Sequence, residues 1–186
     1  PSFDGGMSLE SLKRRRAAAA FDGGMNILDV SSNHHPLHFV INDTMMRVDL
    51  PAPLRSGEDF ELDIAWSFII NRSDEVGGRA AAEWFQEDGN WIFELAHWFP
   101  RLAVYDDVNG WQNKQFLGSG EFALEFGDYD VRITVPNDHI VAASGVLQNP
   151  SEVLSAAQQQ RLAQAQQIGN AGPTMIVTLE EATANE

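Results

Sequence analysis

The 186-residue sequence has no cysteine. A disulfide framework, a thiolate zinc site and a cysteine nucleophile are therefore excluded. Positive charge is scarce: 12 Lys and Arg stand against 27 Asp and Glu, a net charge of −15. Phosphates are held by Lys and Arg, so this balance argues against a nucleic-acid partner and equally against an anionic membrane surface. The acidic excess serves solubility. No apolar run approaches the about 20 residues of a membrane-spanning helix. Lys13-Arg14-Arg15-Arg16 followed by Ala17–Ala20 has the order of a signal peptide, but the apolar part is too short. Catalytic signatures are also missing. There is no G-x-S-x-G elbow and no phosphate-binding glycine loop, and Gly118-Ser119-Gly120 lacks the helix that a dinucleotide fingerprint needs.

What is present reads as strands. Apolar residues make up 44% of the chain, enough for a core. Phe60, Leu62, Ile64, Trp66, Phe68 and Ile70 alternate with Glu61, Asp63 and Ser67, which predicts a long half-buried strand. Phe122, Leu124 and Phe126 alternate with Glu121, Ala123 and Glu125. Gly127-Asp128 then has the chemistry of a type II′ turn, leading into Tyr129, Val131, Ile133 and Val135, ended by Pro136. Shorter strands are expected at Asn26–Ser31, Leu37–Asn42, Thr44–Leu50, Ala80–Gln86, Asp138–Gly145 and Thr174–Thr178, with turns at Asn33–Pro36, Asn42-Asp43 and Glu87–Asn90. Arg72–Arg79 reads as a polar loop. Two segments are helical by composition. Ser8–Ala20 has Ser8 as N-cap and Gly23-Gly24 as a stop. Ala156–Gln167 follows a Ser155…Gln158 capping box and is stopped by Gly169 and Gly172-Pro173.

The fold class is thus mostly β, an antiparallel saddle-shaped sheet or β-sandwich with one or two short helices. Residues 1–20 form a peripheral, helix-prone segment and residues 21–186 a single β-rich domain. Phe3–Met7 recurs as Phe21–Met25, but one five-residue repeat does not make a solenoid. Glu180–Glu186 carries no ending signal, and the expectation is a chain cut after residue 186.

Few residues offer chemistry. His34 and His38 are four apart, the spacing of two ligands on a helical face, but Pro36 between them excludes a helix. Asp106-Asp107 is an acid pair in an aromatic setting; sequence neighbours on a strand face opposite ways, and a turn carboxylate capping backbone N–H groups is the commoner outcome. Asn42-Asp43-Thr44 and Asn71-Arg72-Ser73 match the glycosylation acceptor pattern, which is weak by itself. The stretch Trp91–Trp111 is aromatic, proline-broken and irregular, and such stretches beside a regular sheet are where sites tend to sit.

Several motifs together resemble one family. Trp98-Phe99-Pro100-Arg101, Val104-Tyr105-Asp106-Asp107, Gly110-Trp111-Gln112-Asn113 and Phe116–Phe122 are similar to the N-terminal domain of bacterial zinc metallopeptidases of the aminopeptidase N type, the gluzincins. Tyr129–Pro136, Ala142–Gly145, Gly23–Asn26 and Thr44–Pro51 resemble the same branch, so the likeness spans about residues 21–186. The resemblance implies a saddle-shaped β domain that docks on a thermolysin-like catalytic domain and walls its peptide-substrate cleft. In the family, zinc is held by H-E-x-x-H plus a distant Glu, and the substrate amine partly by G-x-M-E-N. This chain has neither motif, so it is expected to be inactive alone, with no catalytic residue, no metal ligand and no cofactor of its own, and with zinc in the missing catalytic domain. Members carry a substrate-contacting Gln that is expected just before W-F/Y-P, where this chain has His97. The resemblance therefore implies substrate contact by His97 and Trp98, and domain docking by Trp91, Phe99, Tyr105, Asp106 and Trp111. The expected partners are the catalytic domain of the same parent chain and its peptide substrate, in the bacterial cell envelope, periplasm or cytoplasm. Two other readings stay open. A free-standing carbohydrate-binding or adhesion sandwich requires a row of exposed aromatics formed by Trp91, Trp98 and Trp111. A complete enzyme requires Asp106, Asp107 and His97 to converge on a cleft.

Overall fold

The computed structural model describes residues 8–77, 80–115, 123–168 and 173–184. The chain divides into two compact units, Pro1–Gly127 and Asp128–Glu186. Small antiparallel sheets and a few short helices make the fold β-rich, as the alternation predicts.

The first unit opens with α1 (Leu9–Ala20). Ser8 caps it, its Oγ accepting from Ser11 N at 3.1 Å. Next come β1 (Asn26–Ser32) and β2 (His35–Pro36), joined by Asn33 and His34 with φ of 49° and 64°. Two successive left-handed residues are what a type I′ hairpin turn needs, because their twist matches that of the strands. On its other edge β1 pairs antiparallel with β5 (Asp63–Ser67), with Val30 opposite Ile64 and Ile27 opposite Trp66. A bulge between Ile27 and Asp29 keeps these apolar residues on one face and turns Leu28 out to solvent. Val30, 2% exposed, is the most buried core residue described. Burying such a side chain stabilises by about 1.5–3 kcal/mol.

β3 (Phe39–Asn42) and β4 (Met45–Val48) form a separate hairpin. Its turn is held from far along the chain. Gln115 Oε1 accepts from Thr44 N at 3.0 Å and from Thr44 Oγ1 at 2.6 Å, and its Nε2 donates to Asn42 O at 2.6 Å. One side-chain amide thus satisfies the turn as a neighbouring strand would. At the hairpin's open end, His38 Nδ1 lies 2.7 Å from Asp49 Oδ2. That bond, with the nearby Arg47 guanidinium, holds the Asp49 carboxyl below the usual carboxylate range.

A third sheet contains β6 (Asn71–Arg72), β7 (Ala80–Phe85) and β8 (Asn90–Leu95). β7 and β8 form a hairpin through the expected Glu87–Asn90 turn, where Gly89 takes φ 66°. β6 overlaps the start of the expected Arg72–Arg79 loop at Arg72; it pairs in parallel with Ala81 and Ala82. β9 (Tyr105–Asp106) and β10 (Gly110–Trp111) make a two-stranded hairpin.

The predicted Phe60–Ile70 strand is shortened to Asp63–Ser67. Its ladder runs from Ser67, opposite Asn26 at the start of β1, to Asp63, opposite Ser31. Alternation marks a face, whereas a strand also requires a hydrogen-bonded neighbour. The same reason governs the larger correction. Of the expected strand through Phe126, residues 116–122 lie outside the described residues, and Leu124 makes a single bridge to Ala103. Gly127 lacks the positive φ that a type II′ turn demands, and Tyr129–Val135 runs without a ladder. Asp138–Gly145 and Thr174–Thr178 are likewise not strands.

The second unit carries α2 (Pro150–Val153), α3 (Ala156–Ile168) and α4 (Leu179–Thr183). The Ser155–Gln158 capping box forms as predicted, with Gln158 N donating to Ser155 Oγ at 3.3 Å and Ser155 N to Gln158 Oε1 at 2.9 Å. The stop residues 169–172 lie outside the described residues. α4 was not expected. Thr178 and Glu181 make a second capping box, and Arg161 on α3 donates to both carboxylate oxygens of Glu181.

Trp66 joins the first sheet to the chain after β8: its Nε1 donates to Trp98 O at 3.0 Å and its ring lies 6.3 Å from that of Trp98. Trp66→Phe keeps a ring and deletes the donor. It should cost about 1 kcal/mol, read as a lower urea midpoint; an unchanged midpoint would show that the bond contributes nothing net.

Candidate functional site

The β7–β8 register fixes which side chains share a face. Residues directly opposite point to the same side, so Ala80 and Leu95, Ala82 and Phe93, and Trp84 and Trp91 form one face. Ala81 and Glu94, Glu83 and Ile92, and Phe85 and Asn90 form the other. The first face is aromatic and apolar. Trp84, Phe93 and Leu95 are each about 45% exposed, far more than core positions allow. The Trp84 and Trp91 rings lie 5.3 Å apart, tilted by 54°, a favourable aromatic geometry. Arg72, beside Ala82 in the register, sets its guanidinium 5.3 Å from the centre of the Trp91 ring. Asp74 holds that guanidinium, with bonds of 2.8 Å to Nη2 and 3.1 Å to Nε.

Beyond Leu95 the chain turns sharply. His97 is exposed and takes φ 55°, the left-handed region. That conformation costs an L-residue roughly 1–2 kcal/mol. It precedes the Trp98 carbonyl that Trp66 binds and the Trp98–Phe99 edge contact at 5.0 Å. Both rings are half-buried. Arg101 lies 5.8 Å from the centre of the Phe99 ring and donates to Glu125 O at 2.9 Å.

The β9–β10 hairpin is built on Asp106. Its carboxylate accepts from Val108 N at 2.9 Å, from Asn109 N at 2.6 Å and from the Gln112 side-chain amide. This is the turn-capping role that aspartate commonly takes. The Asn109 N–H first, then the Gln112 amide, hold the Asp106 carboxyl below the usual aspartate range. Across the hairpin Tyr105 and Trp111 meet edge to face at 5.2 Å, 60% and 53% exposed.

The residues singled out from the sequence therefore fall into pairs rather than one cluster. Trp91 lies on the open face with Trp84, Trp98 and Phe99 pack together, and Tyr105 and Trp111 share the hairpin. Asp106 is engaged within its own turn. His97 presents its side chain to solvent from a left-handed corner. Among the described residues, no three His, Asp or Glu side chains are grouped to hold a metal ion. Phe93 and Leu95 fall within the Trp91–Trp111 stretch, whereas Trp84 and Arg72 were not singled out, although Ala80–Gln86 reads as a strand joined to Trp91 by a turn signal.

Comparison of the chain with protein-family models, curated protein sequences and solved structures returns no match.

Two outcomes follow from this geometry. Because the folded Asp106 carboxyl titrates low, its contribution is fully present above the unfolded aspartate pKa and is lost as pH falls through the lower folded value. The near-UV circular dichroism of the Tyr105–Trp111 pair should hold constant from neutral pH down to the ordinary carboxylate range, then collapse below it; in Asp106→Ala it should be weak at every pH. Separately, His97→Gly should leave stability within about 1 kcal/mol, since glycine accepts φ 55° freely but loses more entropy on folding. His97→Val should cost about 1–2 kcal/mol more by urea unfolding.

Proposed function

We propose that this chain is a non-catalytic β domain of a zinc-dependent aminopeptidase, one that docks on the catalytic domain and walls its peptide-substrate cleft. The observation that carries the reading is the open aromatic face of β7 and β8. Trp84, Trp91, Phe93 and Leu95 lie together on it, and a contiguous exposed apolar surface marks an interaction site. The motif resemblance around Trp98–Phe122 supplies the identity of the partner. On this reading zinc and the hydrolytic chemistry belong to the catalytic domain, since zinc needs three protein ligands and a base and the sequence holds no H-E-x-x-H motif. His97 suits substrate contact: its ring is exposed and can donate or accept a hydrogen bond.

A carbohydrate-binding or adhesion module is the second reading, favoured by the exposure of Tyr105 and Trp111 on one hairpin. Against it, Trp91 and Trp98 are half-buried in separate ring pairs, so the three tryptophans make no continuous row.

The test reads the coding sequence beyond the codon for Glu186. An H-E-x-x-H motif followed by a distant Glu is expected, and a downstream sequence without one sinks the proposal. The chain itself, given zinc and aminoacyl chromogenic substrates, should show no turnover above a protein-free blank. Trp84→Lys with Phe93→Lys should abolish its association with the catalytic domain; retained association would place docking elsewhere. A saturating fluorescence change with soluble oligosaccharides, lost in Trp111→Ala, would favour the second reading.

A further inference from the structure

We propose that Asn109 is a site of spontaneous covalent modification, deamidation through a succinimide, and that the reaction dismantles the aromatic hairpin. Asn109-Gly110 is the single Asn-Gly step in the sequence. Asn109 is exposed at the tip of the β9–β10 connection. Gly110 carries no side chain to shield its amide, and even an added Cβ would meet only the Tyr105 ring, at 4.0 Å. The hairpin ladder has two paired positions, Gly110 with Asp106 and Trp111 with Tyr105, extended by one backbone bond from Gln112 N to Val104 O at 2.8 Å. A two-stranded element of that length is marginal and opens locally.

In the opened loop the Gly110 backbone nitrogen attacks Asn109 Cγ. The new C–N bond closes a five-membered ring, the Cγ–Nδ2 bond breaks, and ammonia leaves with the proton lost from the Gly110 amide. Water then adds to one of the two ring carbonyls and opens it, giving aspartate or isoaspartate. Both products are incompatible with the turn. Asn109 Nδ2 now lies 3.3 Å from Asp106 Oδ1 and 3.4 Å from Oδ2, so a carboxylate there replaces a donor with a like charge. Isoaspartate also routes the backbone through Cβ and slips the register of Gly110 and Trp111 against their partners. Asp106 opposes the reaction by holding Asn109 N and Val108 N in the closed turn.

The experiment ages the full chain in mildly alkaline buffer at body temperature, with peptide mapping by mass spectrometry and enzymatic isoaspartate labelling. The expected result is a gain of one mass unit at Asn109 before any other asparagine, with a parallel loss of the Tyr105–Trp111 near-UV signal. Asp106→Ala should convert faster than the parent, and Asn109→Gln, whose longer side chain closes the ring poorly, should keep both mass and signal. Conversion of another asparagine first, an unchanged rate in Asp106→Ala, or conversion with the hairpin signal intact would each overturn the proposal.

Discussion

The first unit depends on one constraint, that the half-buried Trp66 indole must satisfy its N–H. It does so on the Trp98 carbonyl. That bond fixes where the chain leaving β8 passes β5, and it sets the Trp98 ring 6.3 Å from Trp66, with Phe99 edge-on to Trp98. An indole that buries its rings keeps them there only when its polar end has an acceptor. The left-handed corner at His97 immediately precedes the accepting residue.

This arrangement separates two uses of aromatic residues. Trp66, Trp98 and Phe99 are half-buried and tie β5 to the segment that follows β8. Trp84, Trp91 and Phe93 share a sheet face that remains open, and Tyr105 with Trp111 stands on an exposed hairpin. Rings of the second kind are costly in water. Their exposure on a defined face, with Arg72 set against Trp91, supports the proposal that a partner covers it.

What was legible in the sequence was local. The Ser8 cap, the Ser155–Gln158 box, the Glu87–Asn90 turn and the centre of β5 are all written within a few residues of where they act. Alternation at Tyr129–Val135 was equally clear, yet no ladder forms there. Strand pairing is a relation between distant segments, and period-two patterning carries no information about the partner. β6 illustrates the converse: Arg72 opens a segment that reads as loop, and only the alignment of Asn71-Arg72 beside Ala81 and Ala82 makes it strand. At the site, His97, Asp106 and the tryptophans stood out by type. That Asp106 would turn inward to its own loop follows from the short Asp-to-Asn109 spacing, whereas the pairing of Trp84 with Trp91 needed the hairpin register.

The contact of Gln115 with the Asn42–Thr44 turn has a consequence for the order in which the protein matures during synthesis. The three hydrogen bonds join positions more than seventy residues apart. The β3–β4 hairpin emerges from the ribosome long before the glutamine that completes it, at a chain growth rate of about 5–20 residues per second. For several seconds its tip is therefore satisfied by water alone, and the early strands wait on a late amide for their final form.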